Sequence, residues 1–258
     1  MIRAFALCGG YLELPYESMI RDALPSRWTV PIECFLIEHP RGRLLFDTGL
    51  HCDALTKMRE RYGEERAKRF GVHSKAGDDI VSQLARLGLT PADVPLVANS
   101  HWHFDHCGGN EFFPHATVFV QKREMDAARS PEVLAQGKYR PSPKDYEHPL
   151  RYQAVDGEHD VFGDGSVVLI PTYGHTPGHQ SLLVRRGRDE RMVFTADACY
   201  TRENMDRDIL PTVVWDEREM SHALGRLRDL RDKQGATTVY GHDPAQWRTL
   251  PQAPAPMA

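Results

Sequence analysis

The stretch Ser100-His101-Trp102-His103-Phe104-Asp105-His106-Cys107-Gly108-Gly109 follows directly on the apolar run Leu96 to Ala98 and constrains the chain more than any other. Three imidazoles and a carboxylate fall within six positions. On extended backbone His101 and His103 point the same way, and the turn that follows must swing Asp105 and His106 toward the same place. Without a cation, such a group crowds polar atoms that lack a common partner at a strand end. With one, neutral imidazole nitrogens suit Zn, Fe, Co or Mn, and the carboxylate offsets part of the charge. The motif therefore reads as a metal site. The glycine pair after it is expected to let backbone pass close to that site.

One such motif has too many donors for a single tetrahedral ion and too few for two. More donors recur downstream, each beside or just after an apolar segment of strand length. Val167 to Ile170 leads into Pro171-Thr172-Tyr173-Gly174-His175-Thr176-Pro177-Gly178-His179, Met192 to Thr195 leads to Asp197, and Thr237 to Tyr240 leads to His242. One loop histidine means little, but repeated placement after strands puts these donors on a single sheet edge. Spacing leaves open which of His175 and His179 takes part. His39, His73, His115, His148, His159 and His222 lack such company and read as surface histidines.

Ile32 to Ile37, Arg43 to Phe46, Thr117 to Val120 and Leu182 to Val184 also read as strands. Residues 78–87 place Ile80, Val81, Leu84 and Leu87 on one helical face before Gly88, and Thr90-Pro91 reads as a cap with a first-turn proline. Residues 217–233 do the same with Met220, Ala223, Leu224, Leu227 and Leu230 before Gly235. Mixed strands and amphipathic helices predict a layered α/β domain spanning residues 1–250. Residues 129–160, with Pro131, Pro141, Pro143 and Pro149, read as a long loop, either a lid over the site or an inert excursion. Residues 251–258 form a Pro/Ala-rich tail expected to be disordered.

Charge and cysteine usage exclude other classes. Lys and Arg number 32 against 36 Asp and Glu, a net charge of −4 that speaks against a nucleic-acid partner. No run approaches the roughly 18–20 apolar residues that span a bilayer, and Ala4 to Cys8 is too short for a leader core, so no membrane partner is expected. Five cysteines with no C-x-x-C pair predict reduced thiols and a cytoplasmic protein.

Together with Phe46-Asp47-Thr48-Gly49, these motifs resemble the metallo-β-lactamase superfamily over nearly the whole chain. The resemblance implies an α/β fold, an αββα sandwich of two mixed β-sheets flanked by helices, with a binuclear metal centre on one edge. It implies that His101, His103 and His175 hold one ion, that Asp105, His106 and His242 hold the other, and that Asp197 bridges them. The cofactors would be two divalent metal ions per chain, zinc foremost, with Co, Mn or Fe also admitted. It leaves His179 to shape the loop and gives Asp47 the task of orienting a ligand imidazole.

Within that superfamily the chain is most similar to the N-acyl homoserine lactonases, the quorum-quenching lactonases. Their Ser-His-x-His-Phe-Asp-His-x-Gly-Gly signature matches residues 100–109, the stretch His175 to Leu182 resembles theirs, and Tyr200 stands three residues beyond Asp197 as in that family. The resemblance implies a hydrolase for a small-molecule lactone, its ring opened by a hydroxide shared between the ions, with Asp105 and Tyr200 as catalytic residues. Tyr200 would donate to the carbonyl or leaving oxygen, since a phenol of pKa about 10 is protonated at neutral pH. Trp102 and Tyr173 depart from the family pattern and are expected to alter pocket shape. Met19, Trp28, Trp102, Met205 and Trp215 are candidates to line an acyl pocket. Residues 12–30 would either pack on a second subunit in a homodimer or close the chain's own pocket.

Other small-lactone hydrolases, such as those resembling pyridoxolactonase, share much of this pattern. A thioester hydrolase of glyoxalase II type would use the same ligands but needs a cationic patch for glutathione carboxylates, for which Arg202, Arg207 and Lys233 are only scattered candidates. A β-lactamase proper places a cysteine ligand where this chain has Asp197, and flavo-diiron reductases carry Glu in place of His103. A metal-dependent binding module without turnover would need no group such as Tyr200.

Overall fold

The protein is described from a computed structural model that covers residues 1–187 and 190–257. The first sheet contains β1 (Arg3–Pro15), β2 (Arg27–His39), β3 (Gly42–Phe46), β4 (Gly71–Val72), β5 (Leu96–Ala98), β6 (Thr117–Gln121) and β7 (Arg151–Val155). Their order is β4-β1-β2-β3-β5-β6-β7, antiparallel from β4 to β3 and parallel from β3 to β7. The second sheet contains β8 (His159–Asp160), β9 (Val167–Pro171), β10 (Gln180–Arg185), β11 (Arg191–Phe194) and β12 (Thr237–Val239), in the order β12-β11-β10-β9-β8. Only its β11–β12 pair is parallel, so β9, β11 and β12 all run the same way.

Alternation along the strands builds the layers. Ala4, Ala6, Phe35, Ile37, Leu44, Phe46 and Phe119 of the first sheet meet Val167, Leu169, Leu182, Val184 and Phe194 of the second. Their sequence neighbours Phe5, Leu7, Leu36, Leu45, Val97 and Val118 face outward onto helices. The helices are α1 (Ala54–Arg69), α2 (Ile80–Ala85), α3 (Lys122–Ala128), α4 (Pro131–Ala135), α5 (Pro143–Tyr146), α6 (Arg202–Arg207), α7 (Glu217–Asp232) and α8 (Pro244–Trp247). Ile80 and Leu84 of α2 cover the first sheet, and Leu224, Leu227 and Leu230 of α7 cover Val168, Ile170, Leu183 and Val193 of the second. This is the αββα sandwich expected from the sequence. Asp79 and Asp216 cap α2 and α7 by accepting from the amides of Ser82 and Glu219. No helix among the described residues is long and apolar enough to cross a membrane.

The structure differs from expectation in four places. The apolar stretch near the start belongs to β1, whose alternation is broken at Gly9-Gly10, where the register with β2 shifts between Cys8 and Tyr11. Helix α1 went unpredicted because it is charged on most sides and kinked at Lys57 and Gly63. Residues 129–160 are no structureless loop: they hold α4, α5, β7 and β8, with Pro131 and Pro143 in first helical turns. Finally, the tail expected to be disordered docks on β1. The amides of Ala253 and Met257 donate to Ala6 and Ala4 carbonyls at 3.0 and 2.8 Å, and the Met257 side chain enters the core between the sheets. The reason is an open edge. β4 pairs only with Leu12 and Glu13, which leaves the first half of β1 for the tail to cover.

Candidate metal centre

All the candidate donors emerge beyond the carboxyl ends of strands. Asp47 follows β3 and the 100–109 motif follows β5, while His175, Asp197 and His242 follow β9, β11 and β12 of the facing sheet. Because β3 and β5 are parallel, and β9, β11 and β12 share a direction, these ends collect at one edge of the sandwich.

The seven donors come together there in two groups. In the first, Nδ1 of His103 lies 3.0 Å from Nε2 of His101 and 3.0 Å from Nε2 of His175, and Asp197 Oδ2 is 3.1 Å from His175 Nε2. In the second, Asp105 Oδ2 lies 3.8 Å from His106 Nε2. Asp197 Oδ1 lies 3.1 Å from that nitrogen and 3.0 Å from Nε2 of His242. The ligand atoms of His101, His103, His175 and Asp197 lie within 4.8 Å of one another, as do those of Asp105, His106 and His242. Asp197 thus turns one oxygen to each group. His106 Nε2 and Asp197 Oδ1 are buried without a hydrogen-bond partner, although they approach each other closely. Buried atoms without a hydrogen-bond partner in a nest of imidazole nitrogens fit the binding of divalent metal.

The remaining nitrogen of most of these rings is tied down. Asp47 accepts from the amide and hydroxyl of Ser100 at 2.6 and 2.7 Å and from Nδ1 of His106 at 2.9 Å. His242 Nδ1 donates to the Pro31 carbonyl at 2.8 Å, His175 Nδ1 to that of Val213 at 3.2 Å, and His101 Nδ1 meets Ser100 Oγ at 2.9 Å. Each ring is thereby held with its other nitrogen inward. Geometry also separates the two histidines that spacing left open. His179 Nε2 accepts from the Asp197 amide at 3.1 Å, while its Nδ1 meets Thr172 Oγ1 at 2.9 Å. Thr172 continues to Ser181 at 2.8 Å, and Ser181 donates to the Thr195 carbonyl at 2.9 Å. With both nitrogens engaged, His179 holds the Asp197 backbone and lies outside the donor cage.

Glu124 is a site residue that sequence reasoning missed. Fully buried at the start of α3, it accepts through Oε1 from the Trp102 amide at 2.9 Å and the Tyr139 hydroxyl at 2.7 Å. Its Oε2 accepts from Thr176 Oγ1 at 2.7 Å and the Gly178 amide at 3.0 Å. One carboxylate therefore joins both donor loops to residue 139, and no histidine or spacing signature in α3 announces it. The glycines explain how close the parts come. A Cβ on Gly178 would fall on the backbone of Glu124, and one on Gly108 would fall on that of His51. The Gly108-Gly109 pair thus packs on the segment 48–51 rather than on the donor cage, contrary to expectation.

Burial shapes the electrostatics. It pushes His101 and His103 well below the ordinary histidine range, which leaves neutral rings with free lone pairs. Burial also works to raise Asp197, yet His106, His242 and His175 hold it well below the usual carboxylate range. For Tyr200 burial raises the phenol well above its ordinary value, so it stays a donor.

A cavity of about 320 Å³ opens onto the donors. His103, Phe104, Asp105, His175, Asp197, Tyr200 and His242 reach it, with the Tyr200 hydroxyl 3.2 Å from His175 Nδ1. Leu14, Met19, Phe70, Val213 and Val214 make apolar walls, and Arg66, Arg69, Lys138 and Arg140 also line it. Of the five expected acyl-pocket residues only Met19 is there. Trp102 is buried in the core and stacks on Tyr146 at 4.2 Å, Trp28 stacks on Tyr16 at 4.0 Å, and Met205 and Trp215 pack into core clusters. Tyr173 likewise sits outside the cavity, donating to Gln121 at 3.0 Å beneath the Arg123 guanidinium. Leu14, Ser18 and Met19 close the chain's own pocket, and Gly137 to Arg140 contribute a wall from the segment expected to be a loop. Arg202, Arg207 and Lys233 lie away from the cavity.

Comparison with known proteins agrees with this picture. The family model of the metallo-β-lactamase superfamily matches residues 27–242. N-acyl homoserine lactonase AttM of Azorhizobium caulinodans is 34% identical over 98% of this chain and 97% of its own. N-acyl homoserine lactonase AiiA of Bacillus thuringiensis subsp. kurstaki is 31% identical over 93% of each chain. A solved N-acyl homoserine lactone hydrolase, with the product N-hexanoyl-L-homoserine bound at its catalytic metal centre, superimposes with a TM-score of 0.87. That likeness covers 99% of this chain and 98% of the other at 28% identity.

Proposed function

The chain belongs to the metallo-β-lactamase superfamily, and from that premise we propose that it opens the lactone ring of N-acyl homoserine lactones with two divalent cations held in the seven-donor cage. The observation that carries the reading is Asp197, one oxygen turned to each group of donors over a cavity that reaches both. His101, His103 and His175 would hold one cation, Asp105, His106 and His242 the other. Zinc suits this nitrogen and oxygen set, which also admits Co, Mn and Fe. The five described cysteines are all unpaired, which suits the reducing cytoplasm.

A bound cation pair supplies an acidified water as nucleophile and a Lewis acid for the carbonyl. The chain's own residues do the rest. The water oxygen bonds to the lactone carbonyl carbon, the ring C–O bond breaks, and a proton reaches the departing alkoxide to give the N-acyl homoserine. Asp105 is the more exposed of the two cage carboxylates, its side chain 13% accessible against 5% for Asp197, which suits it to carry that proton. Tyr200, kept protonated by burial, donates to the carbonyl or ring oxygen as charge develops there. Phe104 lies between Tyr62 and Phe70, at ring distances of 5.0 and 5.5 Å, which fixes the residue just before Asp105.

The test is acid release from N-hexanoyl-L-homoserine lactone, followed by pH-stat on metal-analysed protein. Ring opening should stop on chelation and return with zinc. Failure to open any homoserine lactone at full metal content would overturn the proposal, as would turnover that persists with almost no metal bound.

A further inference from the structure

The chain is net acidic at −4, yet its pocket is edged with cations. Arg66, Arg69, Lys138 and Arg140 line it, and Glu65 is the only carboxylate among the lining residues outside the cage. Glu65 is already taken by Arg140 Nη1 at 2.7 Å. Elsewhere arginines meet carboxylates: Arg61 with Asp145 at 2.7 Å, Arg123 with Glu219 at 3.0 Å, Arg228 with Asp208 at 2.6 Å. Here they do not. Arg66 directs Nη2 to the carbonyls of Arg140 and Pro141 at 2.8 and 3.3 Å and lies 5.4 Å from the Phe104 ring centre. Arg69 lies over Phe70 at 5.5 Å. Among the described residues no carboxylate stands within ion-pair distance of Arg66, Arg69 or Lys138.

Resting on the lactonase reading, we infer that the lactone this site takes bears a second, anionic group, a carboxylate on its acyl arm, which Arg69 and Lys138 meet while Arg66 stays fixed on its carbonyls. A plain alkyl arm suits the apolar walls, but laid against these cations it would strip water from them and offer nothing in return. A remote carboxylate uses both surfaces, its methylenes on the walls and its charge in charge-assisted hydrogen bonds at the edge. The unpaired cations also raise the local concentration of an anionic substrate before it docks. Glutathione thioesters carry remote carboxylates too, so the test must separate the two sources.

The experiment compares N-adipoyl-L-homoserine lactone, which ends in a carboxylate, with its isostere ending in a primary amide, and includes S-lactoylglutathione. Two quantities are read on the metal-loaded protein: kcat/KM at rising salt, and calorimetric binding of the two ring-opened products. The carboxylate should be favoured on the order of tenfold at low ionic strength, with the gap closing as salt screens the charges. In an Arg69→Gln, Lys138→Gln double variant the ratio should fall toward one. Equal kcat/KM and equal binding for the pair would overturn the inference and leave the lactonase reading standing. Tighter binding of the carboxylate-ended product without ring opening of either lactone would do the reverse. Preferred turnover of S-lactoylglutathione would overturn both.

Discussion

At the floor of the pocket the donor rings are held through their second nitrogens, His106 by Asp47, His242 by the Pro31 carbonyl and His175 by the Val213 carbonyl, and Asp197 is held through its backbone amide by His179. At the mouth, Arg69 and Lys138 stand exposed, and no carboxylate among the described residues fixes them. The floor is built from strand ends of both sheets, whereas the mouth is built from α1 and residues 137–140. The difference is one of preorganisation. Chemistry that depends on atoms within a few tenths of an ångström is given to side chains that cannot move, and recognition of a variable arm to side chains that can.

Four substitutions would break or sharpen that contrast. The largest effect is expected at the floor, where Asp197→Asn removes the one group shared by both sets of donors. That variant should purify with far less than two equivalents of metal and show no measurable lactone opening. Tyr200→Phe should separate holding from chemistry, keeping the metal content of the parent while kcat/KM falls roughly 10²–10³-fold. Its pH behaviour is a second check. Burial raises the phenol, so its anion forms only at higher pH than for a free tyrosine. The ratio of parent to variant rates should therefore stay constant from about pH 8 to 10; a fall in that window would show the phenol ionising there and overturn the upward shift, whereas a ratio of one throughout would remove Tyr200 as the donor. Next comes Asp47→Asn, which leaves every donor in place but weakens the hold on His106; metal affinity should drop about 10–100-fold in a chelator competition. Least is expected at the mouth, where Lys138→Gln should shift chemical-denaturation stability by no more than about 0.5 kcal/mol.

What was readable in the sequence follows the same division. The donors of the floor are rare residue types placed directly after strands, so a run such as 100–109 shows itself without any knowledge of the fold. Strands β2, β3, β5, β6, β9, β10, β11 and β12 and helix α7 are equally visible, because a short apolar run and the 217–233 stripe are local patterns. Other parts depend on distant encounters. Arg66 and Arg69 come to Lys138 and Arg140 only when α1 folds against a wall some 70 positions later in the chain. Helix α1 itself has no apolar stripe to give it away. Large apolar side chains such as Trp102 and Met205 stay out of the pocket because they are more valuable in a core than at a surface. The order of the tail is not legible in its Pro and Ala composition, because it depends on the open edge of β1 that lies beside it.

Glu124 places a limit on what this protein can tolerate. Each of its oxygens receives one backbone amide, Trp102 on one side and Gly178 on the other, along with one hydroxyl. A hydroxyl can rotate to present a lone pair, but a backbone amide cannot. In Glu124→Gln the new NH₂ would face one of those two amides whichever way the group turned, leaving a buried donor unmatched at about 1–3 kcal/mol. The substitution that best preserves size is thus closed to this position. Substitution of an exposed mouth residue such as Lys138 costs the fold little, while the join behind it must keep both of its acceptor oxygens.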